Sequence, residues 1–311
     1  MTLSFCNNKM GPLRAFLAIA IMMGHFSYYE VPGLAVLRNL APPAVSMFLF
    51  ISGYGLSRSL WQKGPSYLQQ FLRKRWIKVL LPALLVFILH LIVMRAGDFH
   101  PMERLRLVAT RGNTLLPHYW FVWAILLDYL IFWGCHKLWD GTVASLVIAL
   151  CTIGFLLATF LAGFDRCWWM CSLAFPTGIF FADKEAVVFS FCSRSPAHFW
   201  LLVCGLVLMT AGLRLTGSPL VWTLCYALIP LAGALLVSGI PLDRWRLPVL
   251  RFVGTISYEI YLVHITVMGF FRGGVMELAS TPLFILLVVL STLILAYSIH
   301  FLSSKAMSLK S

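Results

Sequence analysis

Arg14 and His25 are the residues of this chain whose types and spacing most clearly suggest chemistry. They lie eleven residues apart in the first long apolar segment. An α-helix turns about 100° per residue, so eleven steps place both side chains on nearly one helix face, roughly 16 Å apart along the axis. Because charged and ionisable groups are costly to keep in lipid, we expect a functional stripe with Arg14 near one membrane surface and His25 near the middle.

A second candidate face lies in the ninth apolar segment. Ser257, Tyr261 and His264 follow i, i+4, i+7 spacing, which places them on one side of a helix. A neutral imidazole can accept a proton near neutral pH, so two helices with polar faces at similar depth favour a shared interior site. The alternative is that each histidine only makes a hydrogen bond between helices.

The elements that must hold these residues are membrane helices. Of the 311 residues, 60% are hydrophobic and 11% are charged. Backbone groups in lipid must hydrogen-bond within their own segment, and the alternating pattern of barrel strands is absent. We therefore predict an all-α fold, a polytopic membrane helix bundle that forms one integral membrane domain over residues 1–311. The first apolar run is expected to stay as a helix and not to be cleaved as a signal peptide.

Charges, prolines and glycines divide the chain into ten predicted spans. These are residues 11–30, 41–60, 79–95, 117–135, 142–162, 167–182, 197–213, 220–239, 249–271 and 281–302. With the N-terminus inside, 16 of the 24 Lys and Arg residues fall in cytoplasmic segments and 8 in outer ones, which predicts an N-in, C-in topology. The net charge of +13 lies at these segment ends, so we expect no nucleic-acid partner. Cys and His residues form no metal-ligand pattern, and no metal site is predicted.

Four motifs, in order, resemble those of one family. They are Arg14-x10-His25, Phe48-Leu-Phe-Ile-Ser52-Gly53-Tyr54, His118-Tyr-Trp120-Phe121, and Gly254-x-x-Ser257-Tyr258-x-x-Tyr261-Leu262-x-His264. Each is similar to a motif of the acyltransferase-3 family, integral membrane enzymes that O-acylate sugars and related acceptors. The chain departs from the family pattern at two places. Its basic run has a lysine at one position and a displaced proline, Pro82, and Ser46 stands where many sugar-modifying members carry an acid.

The resemblance implies an acyl-CoA donor that enters from the cytoplasm, with no permanently bound cofactor. The residues expected to bind the CoA phosphates are Arg14, Arg73, Arg75 and Lys78. The alternative for the basic run 73–78 is that it only orients the chain. His25 is the expected general base, with Arg14 and His264 as its catalytic partners, and a covalent acyl-histidine is the alternative. The residues expected to contact substrate are Ser52, His118, Trp120, Asp128, Ser257, Tyr258 and Tyr261.

The predicted function is transfer of an acyl group, with acetyl expected, to a hydroxyl of a glycan or lipid-linked sugar. The predicted location is a bacterial-type inner (plasma) membrane, where the chain crosses the lipid several times. A secondary transporter or flippase whose histidines relay protons is the alternative from another class. The sequence lacks the internal repeats and the Gly- or Pro-broken helix pairs typical of many transporters. A non-catalytic sensor on the same scaffold is a third interpretation.

Overall fold

The computed structural model describes residues 5, 7–29, 31, 33–93, 102, 106–107, 116, 119–240, 247–273 and 275–308. Within these ranges the chain forms helices and connections, with no β-strand beyond one isolated bridge that pairs Arg272 with Glu277. The predicted all-α class is therefore confirmed.

The α-helices follow one another with short connections. In chain order they are α1 (Asn7–Phe26), α2 (Ala41–Lys63), α3 (Phe71–Val93), α4 (Trp120–Leu138), α5 (Gly141–Leu161), α6 (Cys167–Met170), α7 (Ala174–Ser193), α8 (Pro196–Leu215), α9 (Trp222–Gly239), α10 (Pro248–Thr255), α11 (Ser257–Arg272) and α12 (Thr281–Ser308). Short 3₁₀ segments at Ser27–Tyr29, Ala35–Leu40 and Pro65–Leu68 join the first three helices. Gly64, with φ of 68°, makes the turn that ends α2.

The predicted count of ten spans is not confirmed by the described residues. Among the described residues, eight helices are long and apolar enough to cross a membrane, or nine if α10 and α11 form one span. The predicted span 167–182 falls on α6 and α7. The second of these, α7, carries the charged residues Asp183, Lys184 and Glu185 in its middle. It is therefore not among the helices counted as apolar enough to cross a membrane.

The ninth predicted span, 249–271, is not one continuous helix. It is broken at Ile256, where α10 and α11 meet at an angle of 73°. Thr255 Oγ1 donates to Phe252 O at 2.6 Å and Ser257 Oγ donates to Gly254 O at 3.0 Å. The two hydroxyl groups lie on opposite sides of the break, and both bond to backbone carbonyls of α10. Such bonds compete with the regular helix ladder and favour bends. This is the one broken span among the described residues, so it does not form the pair of broken helices typical of many transporters.

The chain packs as two compact units, each made of segments that are distant in sequence. The first unit comprises Met1–Met10, Pro42–Leu72 and Ala124–Leu247. In it, α2 and α7 cross so closely that Gly53 lies against the carbonyl of Phe175 and Gly178 against that of Phe50. Small residues allow this approach.

The second unit comprises Gly11–Ala41, Arg73–Trp123 and Pro248–Ser311. It contains most of α1 and α3, the first turn of α4, and α10 to α12. Gly254 of α10 lies against the backbone of Gly11 in α1, so these two helices also cross closely. Glu259 is buried in α11 and accepts a 2.8 Å hydrogen bond from His300 Nδ1 of α12. The second unit therefore holds both candidate histidine faces.

Candidate active site

Two imidazole rings, those of His25 and His264, meet inside the second unit. His25 Nδ1 and His264 Nε2 are 2.7 Å apart, and the ring centroids are 4.9 Å apart with an interplanar angle of 19°. His25 is 6% exposed and His264 is fully buried. The two polar faces predicted from the sequence therefore share one interior site.

The hydrogen bonds of His264 define the tautomers of both rings. His264 Nδ1 lies 3.0 Å from the carbonyl oxygen of Ile260, one helical turn earlier. A carbonyl oxygen only accepts, so His264 Nδ1 carries the proton. A neutral His264 then accepts at Nε2 the hydrogen bond that His25 Nδ1–H donates. In neutral His25 this leaves the basic lone pair on Nε2, the nitrogen directed away from His264.

Aromatic rings extend the site on both sides of the imidazole pair. Tyr261, one of the predicted residues, lies 6.1 Å from His264 and 5.1 Å from Phe121, measured between ring centroids. Trp120, half-buried at the start of α4, is 6.0 Å from Phe121. On the other side, the ring of Tyr28 is 5.7 Å from that of His25. The predicted residues Tyr261 and Trp120 thus belong to an aromatic cluster that continues from the histidines.

Other polar groups fix the orientation of α11, which carries His264. The Tyr258 hydroxyl donates to the carbonyl of Val79 at 2.9 Å, which links α11 to α3. Ser257 donates to Gly254 O within the break, as described above. Thr266 Oγ1 lies 3.0 Å from His90 Nδ1 of α3. His90 has no polar neighbour at helical spacing in its own segment, so sequence reasoning gave no sign of this contact between helices.

The predicted phosphate-binding residues lie near helix starts in the second unit. Arg14 is exposed in the second turn of α1. In the first two turns of α3, Arg73 and Lys78 are exposed and Arg75 is half-buried. Arg75 and Lys78 are three residues apart and so share one side of α3.

The bounds of the first span give the places of Arg14 and His25 along it. This span runs from Lys9 to Tyr29, so His25 lies four residues from its far end, as Arg14 lies five residues from its start. At a rise of about 1.5 Å per residue, the two residues lie about 16 Å apart along the helix axis.

Three of the predicted substrate residues are not among those described in the second unit. Ser52, half-buried in α2, and Asp128, buried in α4, both belong to the first unit. His118 lies outside the described residues. No group of three or more His, Cys, Asp or Glu side chains in the described part of the chain is arranged to hold a metal ion.

These observations define a class of protein, a multi-pass membrane protein with a buried pair of hydrogen-bonded imidazoles. A family model described as an acyltransferase domain, that of the acyltransferase-3 family, matches residues 12–301. The chain therefore belongs to the acyltransferase-3 family and is a membrane acyltransferase. No curated protein and no solved structure matches it. The family match does not favour the transporter or flippase interpretation.

Proposed function

We propose that this protein transfers an acetyl group from cytoplasmic acyl-CoA to a hydroxyl of a glycan or lipid-linked sugar. The proposed location is an inner (plasma) membrane of bacterial type. One observation carries the proposal: in a member of an acyltransferase family, the bonds from Ile260 O through His264 to His25 leave a basic nitrogen on a buried imidazole. Such a nitrogen suits general-base catalysis of acyl transfer.

In the proposed reaction, His25 Nε2 takes the proton of the acceptor hydroxyl as its oxygen attacks the thioester carbonyl. His25 then becomes an imidazolium, and His264 Nε2 accepts a stronger hydrogen bond from its Nδ1–H. The tetrahedral intermediate collapses by breaking the carbon–sulfur bond, and the proton passes from His25 to the departing CoA thiolate. The products are the acyl ester and free CoA. The acyl group has moved to the acceptor oxygen, and the proton of the acceptor hydroxyl has moved through His25 to the CoA sulfur.

The phosphates of CoA are proposed to bind at the start of α1 and α3. Arg14, Arg73, Arg75 and Lys78 supply positive charge there, and none of the four is buried. Arginine forms forked contacts with phosphate and lysine contributes a compact charge. From this end, the long thioester arm of the donor would extend along α1 toward His25, eleven residues further on.

The acceptor is proposed to contact residues of α4 and α11. Tyr261 and Trp120 are supported by their places in the aromatic cluster next to His264. Ser257 and Tyr258 are proposed to act through the orientation of α11, because their hydroxyl groups donate to backbone carbonyls. Ser52 and His118 stay candidates from the sequence motifs alone, and Asp128 stays one as an acid within a predicted span.

The decisive experiment measures free CoA released from acetyl-CoA by the purified protein, with chromatographic detection. The acceptors are lipid-linked and free glycans, identified by mass spectrometry of surface glycans from cells with and without the chain. We expect His25→Gln to lower kcat about 100-fold or more. His198→Gln, a half-buried histidine at the start of α8, is the matched control and should leave kcat unchanged. Wild-type turnover by a correctly inserted His25→Gln variant would rule out the proposed base.

A further inference from the structure

We propose that Tyr28 and Arg38 form an acceptor-binding lip, and that the lip selects acceptors that carry a carboxylate or phosphate near the acylated hydroxyl. The inference rests on the proposed function and deepens it by naming the charge of the acceptor. The lip lies at the far end of α1 from Arg14, so donor and acceptor would reach His25 from opposite ends of the helix.

The lip is a continuous series of contacts that starts at the proposed base. The Tyr28 ring is 5.7 Å from the His25 ring, tilted by 34°, and the Arg38 guanidinium carbon lies 5.1 Å from the centre of the Tyr28 ring. Tyr28 is 55% exposed and Arg38 is exposed too. These two distances keep the guanidinium within about the length of a disaccharide from His25. A sugar that bears an anion on one residue could therefore present a nearby hydroxyl to Nε2.

Local packing holds both residues in place. The 3₁₀ segment with Arg38 is pressed against α1 at Gly24, where an added Cβ would come within 3.1 Å of Ala41 Cβ and 3.2 Å of Leu37 O. Arg272 Nη1 donates to Tyr29 O at 3.3 Å, and its guanidinium carbon lies 4.5 Å from the centre of the Phe284 ring. The backbone on both sides of Tyr28 is thus fixed by contacts.

The charge of Arg38 supplies the reason for an anionic acceptor. Within the part of the chain that the structure describes, no carboxylate lies within ion-pair distance of Arg38, and the recorded ion pairs join Arg58 to Glu185 and His300 to Glu259. An exposed guanidinium over an aromatic ring keeps its fork of donors for a carboxylate or phosphate.

The test compares a neutral acceptor with two acidic ones, using the purified full chain in lipid nanodiscs with acetyl-CoA. The acceptors are a glucose-terminated oligosaccharide, its glucuronate-terminated counterpart, and a polyprenyl-phosphate-linked glucose. The last two distinguish a sugar carboxylate from a lipid phosphate as the source of the anion. We expect kcat/KM at least tenfold higher for one or both acidic acceptors than for the neutral one.

Variants then locate the preference. Arg38→Gln should remove the difference between acidic and neutral acceptors, and Arg38→Lys should keep part of it. Tyr28→Leu should reduce the preference, because Arg38 loses the ring that orients it. Arg166→Gln, an exposed arginine of the first unit, is the control and should leave the preference intact.

Two negative results separate the lip from the proposed function. Acceptor-dependent CoA release that is equal for neutral and acidic acceptors overturns the lip and leaves the proposed function standing. A preference for acidic acceptors that survives in Arg38→Gln also overturns the lip alone. Absence of acceptor-dependent release with every acceptor overturns the proposed function and the lip with it.

Discussion

At the scale of single residues, the proposed base is held by a neutral imidazole where a carboxylate would be a more familiar partner. A carboxylate would stabilise the imidazolium of His25 more strongly, but a buried charge is expensive to maintain in a membrane protein. His264 avoids this cost because its Nδ1 proton is bound to Ile260 O inside the same helix. The pair therefore gives His25 a fixed orientation without a permanent charge beside it.

Two substitutions of His264 should lower kcat by different amounts. His264→Ala removes the acceptor for His25 Nδ1–H and should lower kcat about 10- to 100-fold, the usual effect of losing an orienting partner. His264→Gln restores a side-chain oxygen that can accept this bond and should recover part of the loss. Steady-state kinetics of both variants with acetyl-CoA would measure it. Equal activity of His264→Ala and the wild type would show that His264 only packs between helices.

The basic residues at the start of α3 should affect the binding of acetyl-CoA and not the chemical step. A protein with Arg75→Gln and Lys78→Gln should have a raised KM for acetyl-CoA and nearly unchanged kcat, because the phosphates lie far from the reacting carbonyl. The effect should weaken as salt screens the remaining charges. Lys305→Gln, an exposed lysine near the end of α12, is the control. Unchanged KM in the double variant would leave the basic run with a role in topology alone.

Sequence periodicity predicted the residues of the pair but not the bond between them. Helical spacing assigns His25 and His264 to faces of their own helices, and it carries no information about which faces meet. For the same reason it missed contacts whose partners lie on different helices, such as His90 with Thr266 and His300 with Glu259.

At the scale of helices, close crossings depend on single glycines. In α2, a Cβ at Gly53 would collide with the Phe175 carbonyl, whereas a Cβ at Gly55 would meet nothing within 4 Å. Gly53→Ala should therefore destabilise the protein by about 1–3 kcal/mol through overpacking. Gly55→Ala should be neutral or slightly stabilising, since alanine favours helix more than glycine does. Thermal unfolding in detergent measures both, and equal stability of the two variants would contradict the crossing.

A second crossing, between α1 and α10, connects stability to the site. A Cβ at Gly254 would collide with the backbone of Gly11, whereas a Cβ at Gly11 has its nearest contact, Arg251 Cα, at 3.7 Å. The crossing is thus asymmetric. Gly254→Ala should lower both thermal stability and kcat, because α1 carries His25 and α10 leads into the helix with His264. Gly11→Ala should preserve both quantities, and a loss in Gly11→Ala as large as in Gly254→Ala would refute the asymmetry.

The break at Ile256 marks the limit of what periodicity predicts for helices. Residues 249–271 are apolar enough for one span, and nothing in their hydropathy indicates a 73° bend. The signals that were present are Gly254, Thr255 and Ser257, whose small or hydroxyl side chains permit the close crossing and the bonds to backbone carbonyls. Their effect depends on α1 lying against them, which the sequence of this segment does not reveal.

At the scale of the whole molecule, the charged residues of α7 predict that α6 and α7 cross the membrane together. The charged run Asp183 to Glu185 is held by neighbours within the first unit: Ser145 Oγ donates to Asp183 at 3.0 Å, and Glu185 pairs with Arg58 at 3.7 Å. Arg58 is near the end of α2 and Ser145 near the start of α5, both of which are predicted to be cytoplasmic ends. The charges would therefore lie at the cytoplasmic surface, with residues 167–182 in lipid.

This arrangement predicts where reporters fused to the chain are found. If α6 and α7 cross, a fusion at Gly163 reports the outer side, one at Ser195 reports the cytoplasm, and both termini are cytoplasmic. If they do not cross, Gly163 and Ser195 report the same side and the termini lie on opposite sides, because the number of crossings changes by one. Paired alkaline phosphatase and fluorescent protein fusions distinguish these outcomes, with Gly64 as the cytoplasmic control and Gly33 as the control on the other side. The charge distribution favours the first outcome. In it, the loop before α6 places one basic residue, Arg166, outside, while Lys184 and Arg194 stay inside.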